Sequence, residues 1–339
     1  MLLAESIIHT MDPFVLRIAG EFGIRWYGLS YALGFLLAWL IVRWLAGTGR
    51  VRLNRAQAGD LVTVLAVGVL AGGRLGHILF YEPDLLFRFS GAFPYWALFD
   101  LQRGGMSSHG GMIGVTFAAI WFARQARIQF LEVGDIAAFA APYGLGLGRL
   151  ANWVNGELPG KALPMSAQDD PPWWSVKYPR EMLEQGFANA DRLADLGWMR
   201  SQIGAGVNES LASALCEACY RHDPTVIAKV APLLTARYPI NFMQALTDGV
   251  VLPAVLAIAW IRPRPRGWIT GWFLIAYGAL RLTTEQFRVS DPDILPDTGV
   301  TLPMVLSGAM CIGGVTLLLG TRHRNDAHGG LLPAESAKR

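Results

Sequence analysis

The chain has 339 residues, 53% hydrophobic and only 16% charged, well below the roughly 25% charged residues of ordinary soluble domains. That balance excludes a soluble globule. A net charge of +3 with no concentrated basic face excludes nucleic acid as a partner.

The opening stretch has no basic region ahead of an apolar one, and Glu5 and Asp12 interrupt it. It therefore predicts an amphipathic arm on the outer surface, not a cleavable signal. Stretches at 26–46, 61–81, 110–123, 136–150, 242–261, 268–282 and 302–319 then approach the roughly 20 apolar residues that cross a bilayer. They predict an all-α integral membrane protein, a bundle of about seven transmembrane helices. Arginines follow the first, third, fifth and seventh stretches: Arg43, Arg50, Arg52 and Arg55; Arg124 and Arg127; Arg262, Arg264 and Arg266; Arg322 and Arg324. The opposite loops carry Glu82, Asp84, Asp291 and Asp293. The positive-inside rule then puts the N-terminus outside and the C-terminus in the cytoplasm.

Residues 158–238 turn polar and predict an outer insertion, helical around 192–222. The expected plan is an arm (1–25), a transmembrane core of four spans (26–157), the insertion (158–238), three further spans (239–320) and a cytoplasmic tail (321–339) that is disordered over 324–339. Cys216 and Cys219 lack a second pair of ligands, so they predict a local disulfide or two idle thiols ahead of a metal site.

Polar side chains converge at one depth. With a rise of about 1.5 Å per residue, Arg74 lies about 24 Å along the second span, Arg149 about 21 Å along the fourth, and Arg281 similarly high in the sixth. Tyr27 and His109 open the first and third spans at the same level. Tyr277, Arg281, Glu285 and Arg288 share one helical stripe. An arginine near the midplane costs about 2.5–3.5 kcal/mol on insertion scales, so each is expected to face the bundle with a partner, snorkelling being the alternative. More guanidiniums than carboxylates predicts an anion, clamped through paired hydrogen bonds as a phospholipid headgroup would be. Asn152 and Asn155 add donors, and Gly156 and Gly160 allow close approach to a ligand. His109, followed by Gly110 and Gly111, is the expected base, a structural donor being the other reading; His77 is expected to pack. No metal or other cofactor is expected, since neither H-E-x-x-H nor an intramembrane carboxylate cluster occurs.

"GRLANWVNGELPG" (148–160), "RWYG" (25–28), "GGRLGHILFY" (72–81), "HGGMIG" (109–114) and "YGALRLTTEQFR" (277–288) together resemble the blocks of the bacterial prolipoprotein diacylglyceryl transferase family. The resemblance implies an inner-membrane enzyme with its site towards the periplasm. Such an enzyme moves the diacylglyceryl group of phosphatidylglycerol to the lipobox cysteine of a prolipoprotein signal peptide, forming a thioether and releasing glycerol 1-phosphate. It implies His109, Arg149 and Arg281 as essential, Tyr27, Asn152, Gly160 and Glu285 as supporting, and puts Arg74 in a family block. Asn155 and Tyr277 join the substrate-binding set from depth and spacing, and a monomer is expected. Ala151 and Trp153 replace the family's glycine and phenylalanine, and "RYPINFMQ" (237–244) stands for its "RHPSQLYE". The alternative is a transporter or flippase for an anionic lipid or solute, which would favour internal repeats and a midplane site. A serine protease using Ser107 or Ser108 with His109 would lack the two-helix geometry of a nucleophile and its base.

Overall fold

The structure, a computed structural model, describes residues 6–19, 22–91, 95–99, 105–206, 209–289 and 298–332. Glu5, Asp291, Asp293 and residues 333–339 lie outside the described residues. The opening stretch forms strand β1 (Ile7–Ile8) and an antiparallel pair, β2 (Phe14–Ala19) and β3 (Phe22–Arg25). Helices then occupy every predicted apolar stretch: α1 (Trp26–Gly47), α2 (Arg55–Tyr81), α3 (Ser108–Ala126) and α4 (Phe130–Val154). Between them and the next such helix lie β4 (Val176–Lys177) and the short helices α5 (Ala190–Ala194), α6 (Leu211–Tyr220) and α7 (Pro224–Val230). The fifth stretch is broken into α8 (Ile240–Leu246), a π-helical turn (Thr247–Val251) and α9 (Leu252–Ala259). Strand β5 (Arg264–Pro265), α10 (Trp268–Glu285), α11 (Leu302–Thr321) and β6 (Ala327–His328) follow. Among the described residues, 5 helical segments are long and apolar enough to cross a membrane: 26–47, 55–81, 130–154, 240–259 and 302–321. The protein is a mainly helical, multi-pass membrane protein.

Caps explain why helices outrun the apolar stretches. Asn54 and Gln57 close a reciprocal capping box that starts α2 ahead of Leu61. The Ser107 hydroxyl accepts from the Gly110 amide and starts α3 before His109.

The chain divides into two compact units, one of Met1–Ala32, Leu145–Val251 and Tyr277–Ala309, the other of Leu33–Gly144, Leu252–Ala276 and Met310–Arg339. In the second unit α2 and α3 pack through glycines. A Cβ on Gly72 would meet the Gly110 carbonyl at 2.4 Å, and one on Gly114 the Gly68 carbonyl at 2.1 Å. These are small-residue contacts that bring two membrane helices to backbone distance. Gly110 therefore serves helix packing.

The same unit holds a buried polar network that the sequence reading did not contain. Asp135, fully buried, accepts from the Gly267 amide, the Thr270 amide and hydroxyl, and is paired with His328 Nε2, each at 2.8 Å. Glu132 accepts from the Arg52 amide at 2.7 Å and from Arg266 Nε at 2.8 Å. Strands β5 and β6 pair antiparallel, and the Gly329, Leu331 and Leu332 amides donate to carbonyls of Arg50, Trp260 and Ile261. The expected disordered tail is thus ordered through Leu332, because buried partners replace the water its polar composition would otherwise need.

In the first unit a narrow mixed sheet collects distant parts of the chain. Strand β1 pairs parallel with β4, Val176 bridges Arg237, Ala162 bridges Arg237, and Gly160 bridges Arg288. Beside it the insertion builds its own core from Met182, Met199, Leu215, Val226, Val230 and Leu233. Cys216 and Cys219 are free thiols inside that core, the idle outcome of the two expected. Burial pushes the Cys219 thiol up to about 12.

Candidate active site

The site in the first unit is built on three helical segments. Arg149 sits one turn before the end of α4, and its Nε donates to Asp248 Oδ2 at 3.0 Å. Asp248 owes its position to the π turn: the extra residue shifts the helix face, and Gly146 and Gly249 let the two backbones touch, a Cβ on Gly146 falling 2.6 Å from the Gly249 Cα. On α10, Arg281 Nη2 lies 2.9 Å from Glu285 Oε2. The contact is close but poorly aligned. Both Glu285 oxygens and Arg281 Nη1 are buried without a hydrogen-bond partner. Such misaligned buried charges are costly unless another polar group completes them.

These pairs form one electrostatic cluster. Asp248 interacts with both guanidiniums, Arg281 with Arg149, Arg288 and Tyr277, and Tyr277 with Arg149. Arg149 and Arg281 are thus each faced by one carboxylate. Asn152 and Asn155 are buried within two turns of Arg149, and the Asn155 side-chain oxygen has no partner. Tyr27, at the start of α1, packs its ring 5.2 Å from that of Tyr31.

Not every expected residue has the expected surroundings. Gly160 makes its close approach to protein: a Cβ there would fall 2.2 Å from the Tyr238 carbonyl oxygen. Its small size joins the end of the 148–160 block to the 237–244 block, whose Arg237 donates back to the Gly160 carbonyl at 3.3 Å. Arg74, in the second unit, is buried and donates to the carbonyls of Leu98 at 2.9 Å, Gly105 at 3.1 Å and Ala97 at 2.5 Å. That geometry supports a loop-holding role. His109, also in the second unit, is half-buried in the first turn of α3 and has no hydrogen-bond partner among the described residues. His77 pairs with Glu82 at 3.3 Å and stacks on Tyr81, close to the expected packing role.

Asp248 is the residue the sequence reading missed. It gives Arg149 a carboxylate partner, and its signal was present: a lone acid in an otherwise apolar span marks a functional site by default.

A family model described as prolipoprotein diacylglyceryl transferase matches residues 13–320. Among curated relatives, the chain is 37% identical over 334 residues to the phosphatidylglycerol–prolipoprotein diacylglyceryl transferase of Bdellovibrio bacteriovorus, covering 92% of this chain and 93% of the relative. Proteins of the same name from Paraburkholderia phymatum and Proteus mirabilis are 35% and 34% identical, covering 94% of this chain and 96% and 94% of theirs.

Proposed function

From the premise that the chain belongs to the prolipoprotein diacylglyceryl transferase family, we propose how its residues carry that family's reaction. The protein is a transferase of lipoprotein biosynthesis, using phosphatidylglycerol as donor and a prolipoprotein as acceptor. The acceptor atom is the lipobox cysteine thiol. It attacks the glyceryl carbon that bears the phosphate; the new carbon–sulfur bond forms as the carbon–oxygen bond breaks, and glycerol 1-phosphate leaves with the electron pair.

The observation that carries this reading is the cluster in which Arg149 faces Asp248 and Arg281 faces Glu285, two guanidiniums whose forks can each clamp a phosphate. As the bond breaks, charge gathers on the departing phosphate, and guanidiniums already held by carboxylates stabilise it without reorganising. Glu285 and Asp248 fix the two forks. Asn152, Asn155, Tyr277 and Tyr27 supply neutral hydrogen bonds to the glycerol and phosphate oxygens, and Arg74 holds the loop before α3. A cysteine thiol is mostly protonated at neutral pH, with a pKa of about 8.5, and the imidazole of His109 takes its proton during attack. Seven spans with the N-terminus in the periplasm and the C-terminus in the cytoplasm put this chemistry at the outer face of the inner membrane, and one chain suffices.

Purified protein supplied with phosphatidylglycerol labelled in its diacylglycerol and with a lipobox peptide tests the reading. Label should move to the peptide with equimolar glycerol phosphate release, and Arg281→Ala should lose about 10²–10³-fold in rate. Wild-type rates in His109→Ala or Arg281→Ala would refute these roles. Lipid movement between leaflets without peptide-dependent release would mark a flippase instead.

A further inference from the structure

A polar cavity opens within the same unit. It measures about 500 Å³ and is walled by Glu157, Tyr178, Arg180, Glu181, Glu184 and Arg237, inside the 300–1,000 Å³ range of ordinary ligand sites. Three of these groups are already spent. Glu181 accepts from Thr235 and pairs with Arg237 at 3.3 Å, and Arg180 donates to the Asn155 carbonyl at 3.1 Å. Glu157 and Glu184 have no ion-pair partner among the described residues. Three carboxylates against two guanidiniums make the wall acidic, which disfavours a phosphate here.

The Tyr178 ring forms part of the wall, with its hydroxyl closed off from the cavity beside Asn241. Leu158 forms one rim with φ of 51°, a left-handed conformation that a non-glycine residue holds where the surroundings impose it. The wall begins at Gly156, seven residues beyond Arg149, about 10 Å along the chain at helical rise. An extended peptide covers that distance in about three residues.

Resting on the transferase reading above, we propose that this cavity binds the acceptor polypeptide just C-terminal to its cysteine, and that Glu157 and Glu184 favour basic or hydrogen-bond-donating residues there over acidic ones. The apolar segment before the cysteine belongs in the membrane; the polar segment after it needs a polar wall, and the cavity supplies one with the matching sign.

The test uses the full-length enzyme, phosphatidylglycerol in detergent micelles, and three lipobox peptides identical through the cysteine and followed by two lysines, two serines or two aspartates. Wild-type kcat/KM should fall in the order lysine, serine, aspartate, by about two- to fivefold at each step, the range of exposed charge pairs. Glu184→Lys, an exposed substitution, should reverse the order, and Glu184→Gln should flatten it, with KM for phosphatidylglycerol unmoved. An unchanged peptide order in Glu184→Lys, or a change carried by the KM for phosphatidylglycerol, overturns the cavity assignment while the transferase reading stands. No transfer to any peptide by the wild-type enzyme overturns both.

Discussion

Replacing Asp248 with asparagine keeps the side-chain shape and the π turn but removes the charge that holds Arg149. The carboxylate is 4% exposed and accepts one hydrogen bond from Arg149 Nε at 3.0 Å. A hydrogen bond to a charged group contributes about 1.5–3 kcal/mol, and each 1.36 kcal/mol of barrier is tenfold in rate. If the bond's main service is to aim the guanidinium at the departing phosphate, kcat should fall about ten- to a hundredfold. The same change removes one negative charge from the cluster, so KM for phosphatidylglycerol should hold or fall. Steady-state transfer of labelled diacylglycerol to a lipobox peptide, with lipid and peptide varied separately, gives both constants. A retained kcat with a raised lipid KM would refute the argument, because Asp248 would then contact the headgroup directly.

Other substitutions test separate parts of the account. Gly160→Ala puts a methyl group against the Tyr238 carbonyl and should cost about 1–3 kcal/mol by overpacking, seen as a lower unfolding midpoint in detergent together with lost transfer. Asp135→Ala removes the acceptor for two amides and a hydroxyl and the partner of His328. It should destabilise by about 3–5 kcal/mol, as when one partner of a buried pair is removed, and the same unfolding measurement reads it. His9 is 1% exposed among Trp153, Tyr178 and Tyr220, with neither ring nitrogen partnered, and burial holds its pKa below the ordinary 6.5. The unfolded chain therefore binds this proton more readily, so stability is full above 6.5 and should decline as pH falls below it. His9→Phe should remove that share of the decline, and an identical pH profile in the variant would contradict the reasoning.

The membrane helices were legible because hydrocarbon permits few sequences, and Arg149, Arg281 and Glu285 stood out because charge inside a span is expensive. The local pair Arg281–Glu285 followed from helical spacing. Asp248 escaped because its link to Arg149 depends on a π turn and a glycine–glycine contact across 99 residues of chain. The backbone contacts of Gly110 and Gly160 were not legible, because absence of a side chain serves a ligand and a neighbouring backbone equally well, and only the neighbour's position decides. Arg266 was counted as a loop charge although Glu132 buries it, and residues 326–332 read as solvated although Asp135 and Trp260 hold them. Every one of these misreadings turns on a partner distant in sequence, while every success rests on burial cost or local periodicity.

The central claim is that Arg149 and Arg281 grip one lipid phosphate. An experimental structure of the protein with phosphatidylglycerol bound measures this directly. The account predicts both guanidiniums within about 3 Å of oxygens on the same phosphate, with Asp248 and Glu285 still behind them. A phosphate contacted by neither arginine, with both remaining engaged only by their carboxylates, would contradict it.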